Sequence, residues 1–315
     1  MKIGLTIIIP TYNNTRGLKC LLNYFRGKPY KVVVVDNQPN EEKKKIVELV
    51  KSVKSVESVE SGKIIYLPQE KNLGFAIAVN RGAKDVKSKW MLILNDDIEF
   101  QSTKIQTPRN KQDSNNKSQI KNEETIQRLI NFAEKNSLDA VSPILRNPDG
   151  EVENYGYRLL SIGKIELIKE IPRSKFQETN KSKNPNPKQK ILNTKYEILD
   201  TDIDGITAAC LLVRTEVFKK LGGFDESFFA YLEDVDFFLR LATLAQDRSF
   251  GIAYDVEVLH NHMTTTKTMG NFKARQDMVN WWRLFFKHPK KFKFDLDFII
   301  ERLRNVLGFV KASLM

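Results

Sequence analysis

Trp90-Met91-Leu92-Ile93-Leu94-Asn95-Asp96-Asp97 is the stretch whose reading decides how this 315-residue chain folds. Five apolar residues in a row suit a strand covered on both faces, as in a parallel sheet, and the run then breaks into an amide and two carboxylates. Outward from it, branched apolar runs recur at residues 3–9, 31–35 and 63–67. Between them, residues 15–26, 40–54 and 74–87 carry apolar side chains every three or four positions. Strand runs alternating with helical spacing predict βαβ units, hence an α/β chain with a mainly parallel central sheet. Ligands of such sheets lie beyond the carboxyl ends of the strands. Here those ends read Pro10-Thr11-Tyr12-Asn13, Asp36-Asn37 and Asn95-Asp96-Asp97.

Composition narrows the function classes. With 41% hydrophobic residues and two cysteines, the chain is neither wholly disordered nor a disulfide-rich scaffold, and it holds no cysteine-clustered metal site. The 51 basic against 39 acidic residues give +12, which attracts phosphates. A basic nucleic-acid-binding protein is therefore an alternative, although no recognition-helix pattern, zinc finger or single-strand-binding aromatic motif accompanies the charge. The amino terminus lacks the apolar core and cleavage segment of a signal peptide, and no run of 18 apolar residues follows. A cytoplasmic location is expected.

Residues 101–122 hold two aliphatic side chains, Ile105 and Ile120, and residues 172–190 hold six basic residues, one acid and Asn184-Pro185-Asn186-Pro187. Both read as polar insertions within a domain spanning residues 1–270. Further strands are expected over 139–143, 205–213 and 252–259, and helices over 124–135, from Thr215, and over 232–244, where Asp236 and Arg240 can pair at i,i+4. Asn147-Pro148-Asp149-Gly150 is a turn signal. Residues 271–315 read as a basic, aromatic helical extension. Counted from Gly270, ten Lys or Arg and four Asp or Glu leave +6. Lys287, Lys290, Lys291 and Lys293 lie among Phe285, Phe286, Phe292 and Phe294, a pattern compatible with an anionic membrane face, a solvated helix pair or a homodimer surface.

Four polar constellations carry candidate chemistry. Pro10-Thr11-Tyr12-Asn13 can hold a base or ribose, or be a turn capped by Asn13 or Thr15. Asp36, after four valines, can accept from a ribose or base imide, or belong to a turn. In Asn72-Leu73-Gly74-Phe75-Ala76 through Asn80 and Gly82, a helix starting at Gly74 can present donors to phosphate, with Asn72 or Asn80 reading the nucleotide; close helix-to-sheet packing explains the small residues equally well. Asp97 suits a hard divalent cation, while Asp96 can cap a turn or touch ribose. Glu233-Asp234, behind the aromatic stretch Phe224-Asp225-Glu226-Ser227-Phe228-Phe229, suits proton abstraction from a hydroxyl, or helix capping with Asp225 as a local cap. His260 can complete a cation site begun by Asp97, and His288 has the weaker case for metal.

Taken in order, these motifs resemble inverting family-2 glycosyltransferases, especially the rhamnosyltransferase-like branch of the GT-A fold, across residues 3–289. The resemblance implies a Rossmann-like nucleotide-diphospho-sugar transferase fold. It implies Mg²⁺ or Mn²⁺ as cofactor, a nucleotide diphosphate sugar as donor, pyrimidine bases being favoured over guanosine, and a glycan or lipid-linked glycan as acceptor. Thr11, Asp36, Asn72 and Asn80 fall in its nucleotide-binding part together with the Pro10, Asn13 and Gly74 loops. Asn95 stands where the stricter motif has a first carboxylate and so lies beside the donor with Asp96. Asp97 and His260 fall to the metal, with His262 as the alternative to His260. Asp234 falls to the general base and Glu233 to positioning the acceptor. A nucleotide-sugar-binding protein without transfer is the other reading of the same residues.

Overall fold

The computed structural model describes residues 4–37, 43–54, 64–100, 125–169, 203–244, 249–261 and 271–314. The expected polar insertions at 101–122 and 172–190, and His262, lie outside the described residues.

Four strands make the first half of the sheet: β1 (Leu5–Thr11), β2 (Lys31–Asp36), β3 (Ile64–Pro68) and β4 (Trp90–Leu94). They pair in the order β3-β2-β1-β4, all parallel. The second half adds β5 (Ile98–Glu99), β6 (Ala140–Arg146), β7 (Val152–Asn154), β10 (Cys210–Arg214) and β11 (Phe250–His260), while β8 (Tyr157–Leu160) and β9 (Lys164–Leu167) form a separate hairpin. Here the expectation of a mainly parallel, Rossmann-like sheet needs correction. β10 runs antiparallel to both β4 and β6, β5 runs antiparallel to β11 and β7 to β6, so beyond β4 only β6 and β11 pair in parallel. The apolar run of β10 looks like any doubly buried strand, so nothing in its composition encodes its direction.

Alternation along the strands explains the layering. Ile7, Ile9, Val32, Val34, Leu92 and Leu94 enter one core, and Ile8, Val33, Val35, Met91 and Ile93 enter the other. The first core is covered by α1 (Thr15–Phe25), α2 (Lys43–Lys54) and α4 (Thr125–Lys135). The second is covered by α3 (Phe75–Ala83), α5 (Thr215–Lys220) and α6 (Glu233–Leu244). α1 starts where Asn14 accepts from the Gly17 N–H at 2.9 Å. The small residues of α3 serve packing: Ala76 and Ala78 are fully buried, and a Cβ on Gly82 would stand 2.6 Å from the Ile8 side chain.

The carboxyl-terminal helices α7 (Phe272–Lys287) and α8 (Leu296–Leu314), joined by a 3₁₀ turn at Pro289–Lys291, close a third cluster against α6. Val235 and Leu239 of α6 meet Trp281, Leu284, Phe292 and Phe298 there. Buried Asp236 fastens this junction. It accepts from Arg240 Nε at 2.8 Å, the expected i,i+4 pair, and bonds His288 Nε2 and Lys287 Nζ at 2.8 Å each. Burial pushes its carboxyl up, but the hydrogen bonds from His288 and Lys287 and the charges of Arg240 and Lys287 outweigh that and hold it below the ordinary range. His288 thus joins helices. Cys20 and Cys210 are both free thiols.

Candidate active site

After β1 the chain steps outward through β2 and β3, then returns to the other side of β1 through β4. The strand ends at this switch point open on a cleft of about 610 Å³. One wall comes from Pro10, Thr11 and Tyr12 after β1, from Asn72 and Gly74 before α3, and from Asn95, Asp96 and Asp97 after β4. The opposite wall comes from Thr207 to Ala209, Phe229 to Asp234, and His260. Asp97 and Asp234 therefore face one cavity.

The β1–β4 wall carries a bonded polar network centred on Asp96. Thr11 Oγ1 donates to Asp96 Oδ2 at 2.6 Å, and Asn14 Nδ2 donates to Asp96 Oδ1 at 3.0 Å. Asp96 keeps an exposed edge, but the protein around its carboxylate desolvates it and pushes its pKa up to about 7, against the pull of these bonds. Asn72 Oδ1 accepts from the Gly74 N–H at 3.0 Å, and Asn37 Nδ2 donates to the Gly74 carbonyl at 3.1 Å. Gly74 has φ 86°, and a Cβ there would meet the Phe229 carbonyl oxygen at 2.2 Å, so only glycine lets the two walls approach. The Phe75 N–H donates to that same carbonyl at 2.7 Å. The helix-start donor expected to face phosphate is engaged within the protein.

Three expected nucleotide contacts sit outside the cleft lining. Asp36 is fully buried and accepts from the Tyr66 hydroxyl at 2.6 Å, an arrangement that raises the Tyr66 pKa through burial and then through Asp36 itself. Asn80 clasps the Phe224 backbone, donating to its carbonyl at 2.8 Å and accepting from its N–H at 3.0 Å. Asn13 is an exposed residue with φ 58° at the turn into α1.

The opposite wall is different in kind. Tyr231 and Leu232, immediately before α6, both have φ 68°, a left-handed conformation that costs roughly 1–3 kcal/mol per non-glycine residue. Asn280 of α7, fully buried, donates to the Ala230 and Tyr231 carbonyls at 2.8 Å each and holds this loop. The strained turn delivers Glu233 and Asp234 to the cleft. Burial, with the neighbouring Asp234 charge adding to it, pushes Glu233 up to about 8. Its Oε2 is buried without a hydrogen-bond partner. Burial also raises Asp234, opposed by N–H bonds from Ala208 at 3.3 Å and Val235 at 2.9 Å. Asp225 turns away, accepting from the Ser227 N–H at 2.9 Å and pairing with Lys287, and it is the local cap rather than part of the cleft.

Asp97 Oδ1 is buried and accepts no hydrogen bond, and His260 Nε2 stands 3.3 Å from it. The other ring nitrogen, Nδ1, is 2.9 Å from Glu153 Oε2 of β7. Burial opposes charging this ring, but Asp97 and Glu153 outweigh it and lift the pKa to about 9. Among the described residues, no group of three or more His, Cys, Asp or Glu side chains converges on a metal position. Asp97 and His260 nonetheless fit an open cation site as two of its donors, one carboxylate oxygen and one imidazole nitrogen, which leaves the other positions to diphosphate oxygens and water.

Several contributors escaped the sequence. Glu153 lies on a three-residue strand of no distinctive pattern and meets His260 only through the β6–β7 and β6–β11 pairings. Asn280 left a trace, a buried amide one helical turn before Leu284 on the packed face of α7. Phe272, Lys273, Asp277 and Trp281 of α7 also line the cleft.

Comparison with known proteins agrees with this architecture. Residues 6–121 match glycosyl transferase family 2. Among curated relatives, an N-acetylglucosaminyl-diphospho-decaprenol L-rhamnosyltransferase of Mycobacterium tuberculosis is 24% identical over 244 residues, covering 69% of this chain and 68% of its own. The low-salt glycan biosynthesis hexosyltransferase Agl10 of Haloferax volcanii is 22% identical over 286 residues, covering 88% and 73%. Among solved structures, S. aureus TarS superposes with TM-score 0.53 at 16% identity, over 99% of this chain but 43% of TarS. The mannosyltransferase PcManGT of Pyrobaculum calidifontis, solved with GDP-Man and Mn²⁺, superposes with TM-score 0.53 at 14% identity, over 100% and 74%. The chain has the GT-A-like glycosyltransferase fold.

Proposed function

We propose that the protein is an inverting, metal-assisted glycosyltransferase that moves a sugar from a nucleotide diphosphate, preferably of a pyrimidine base, to a hydroxyl of a glycan or lipid-linked glycan. The observation that carries this reading is the shared cleft, which holds both the Asp97–His260 carboxylate–imidazole pair and the desolvated Glu233–Asp234 acid pair. The match to glycosyl transferase family 2, and the diphospho-decaprenol acceptor named for the mycobacterial relative, support the reaction class and the acceptor.

Asp234 removes the acceptor hydroxyl proton as its oxygen attacks the anomeric carbon. The new C–O bond forms while the bond to diphosphate breaks on the opposite face, which inverts the centre and needs no covalent enzyme intermediate. Glu233 lines the cleft beside Asp234, and its Oε2 makes no hydrogen bond within the protein, which leaves it suited to a second acceptor hydroxyl. Thr11, Asn72 and Asn95 line the donor side, and the Asp96 network keeps that wall rigid. Asp97 and His260 would hold Mg²⁺ or Mn²⁺, which compensates the charge of the departing diphosphate.

A panel of nucleotide sugars with and without Mn²⁺, followed by an acceptor screen with the best donor, tests the reading. Acceptor-dependent release of nucleoside diphosphate with an inverted linkage is expected. Donor binding without transfer to any glycan or lipid-linked acceptor would replace the transferase with a binding protein.

A further inference from the structure

Helix α8 is amphipathic in an unusual sense, because it is apolar on the face it packs and apolar again on a face it leaves open. Phe298 is fully buried among Phe285, Phe292 and Trp282, and Arg302 lies buried over the Trp281 and Phe298 rings. Leu296, Ile299, Ile300, Leu303, Val306, Leu307 and Val310 are all exposed, Leu296 by 71% and Leu307 by 66%. At about 100° per residue these seven fall within an arc of roughly 120° on the side away from Phe298, with Arg302 beside one edge of that arc. Phe286 and Phe294, 72% and 63% exposed, extend the apolar surface at the end of the helix pair. Isolated exposed leucines need no explanation, but a continuous stripe on the solvent side of a helix does.

The charges beside the stripe identify what covers it. Lys290, Lys291 and Lys293 are exposed in the turn next to Phe286 and Phe294, and Lys311 is exposed along one edge of the stripe, where Arg304 pairs with Glu301 and Asp297 is also exposed. From Gly270 onward the chain carries a net +6. A second copy docking through the same face would bring two positive surfaces together, whereas an anionic bilayer offers apolar depth and opposite charge at once. No helix among the described residues is long and apolar enough to cross a membrane, so the contact is one that lies along the surface.

We infer that the exposed face of α8, with Phe286, Phe294 and the lysines of the connecting turn, docks on an anionic phospholipid bilayer. The same helix pair supplies Lys273, Asp277 and Trp281 to the cleft, so docking holds the cleft beside the membrane. That consequence rests on the transferase reading with a lipid-linked acceptor, while the docking itself does not.

Flotation of the full chain with phosphatidylcholine vesicles, with and without phosphatidylglycerol and in the absence of nucleotide sugar, tests the docking separately from any transfer. Binding to the anionic vesicles alone, weakened by salt, is expected. The Leu303→Glu/Leu307→Glu pair should reduce it at least about tenfold, and Lys290→Glu/Lys291→Glu/Lys293→Glu should do the same, with thermal midpoint and nucleotide binding unchanged. Absence of binding to anionic vesicles at low salt, or equal binding by the variants, overturns the inference. So does a dimer, in sedimentation without lipid, that Leu303→Glu/Leu307→Glu converts to monomer while the parent ignores vesicles, since the occupant would then be a second copy.

Discussion

The two walls of the cleft reach their positions by opposite means. On the β1–β4 side, polar groups follow directly from parallel strand ends and are tied to one another, as Thr11, Asn14 and Asp96 are. On the α6 side, Glu233 and Asp234 follow two left-handed residues, are desolvated, and hang from a clamp on a helix more than forty residues later. The first wall is held in shape by its own hydrogen bonds. The second is held in a costly state by packing elsewhere, and carboxylates with raised pKa values stand on both sides, Asp96 on the first and Glu233 on the second.

The sharpest way to break this contrast is Asp234→Asn. If the α6 wall does the chemistry and the β1–β4 wall the binding, transfer should fall by about 10²–10⁴-fold while donor affinity stays within a few fold, measured as turnover and nucleotide titration on the same preparation. Equal losses in both would merge the two roles.

Next in size is Glu153→Gln. An anionic partner on Nδ1 leaves Nε2 of His260 to face Asp97, so its loss should weaken Mn²⁺ affinity by roughly 10–100-fold in a direct metal titration without donor. An unaltered affinity would show that Glu153 does not position the ring.

Asn280→Leu probes the clamp itself. Removing two buried donors from strained carbonyls should lower stability by about 1–3 kcal/mol and reduce turnover far more than donor affinity, because the Glu233–Asp234 loop relaxes while the other wall stays bonded. Denaturant unfolding read beside donor binding separates the two effects, and intact turnover would show that the loop keeps its shape unaided.

A pH difference tests the desolvation of the α6 wall. The fold holds the Glu233 proton up to about pH 8, against an ordinary 4.5, so its stabilising contribution is complete below pH 4.5 and lost as pH rises through 8. Glu233→Gln cannot ionise and keeps that contribution. Its thermal midpoint should therefore gain on the parent steadily between those pH values, and parallel curves would mean that Glu233 is solvated.

Much of the first wall was legible in the chain. Uninterrupted apolar runs with polar residues at their ends specify doubly covered strands whose termini carry the site, and Thr11, Asn72, Asn95, Asp96 and Asp97 all line the cleft. Asp36, Asn80 and Asn13 show the limit of that logic. A polar residue at a strand end or helix face reads identically whether it meets a ligand, as Asn72 can, or another chain segment, as Asn80 meets the Phe224 backbone.

By itself the sequence determined which segments become buried strands and amphipathic helices, because burial period and charge are local properties repeated along each element. It also set the acidic pair at the start of α6 and the surplus charge of the final helices. Tertiary structure alone decided the antiparallel course of β10, the meeting of Glu153 with His260, the grip of Asn280 on the loop before Glu233, and which side of α8 remains open. Each of these depends on contacts between residues far apart in the chain, and the free energy of such a contact appears only once the sheet has fixed both partners in place.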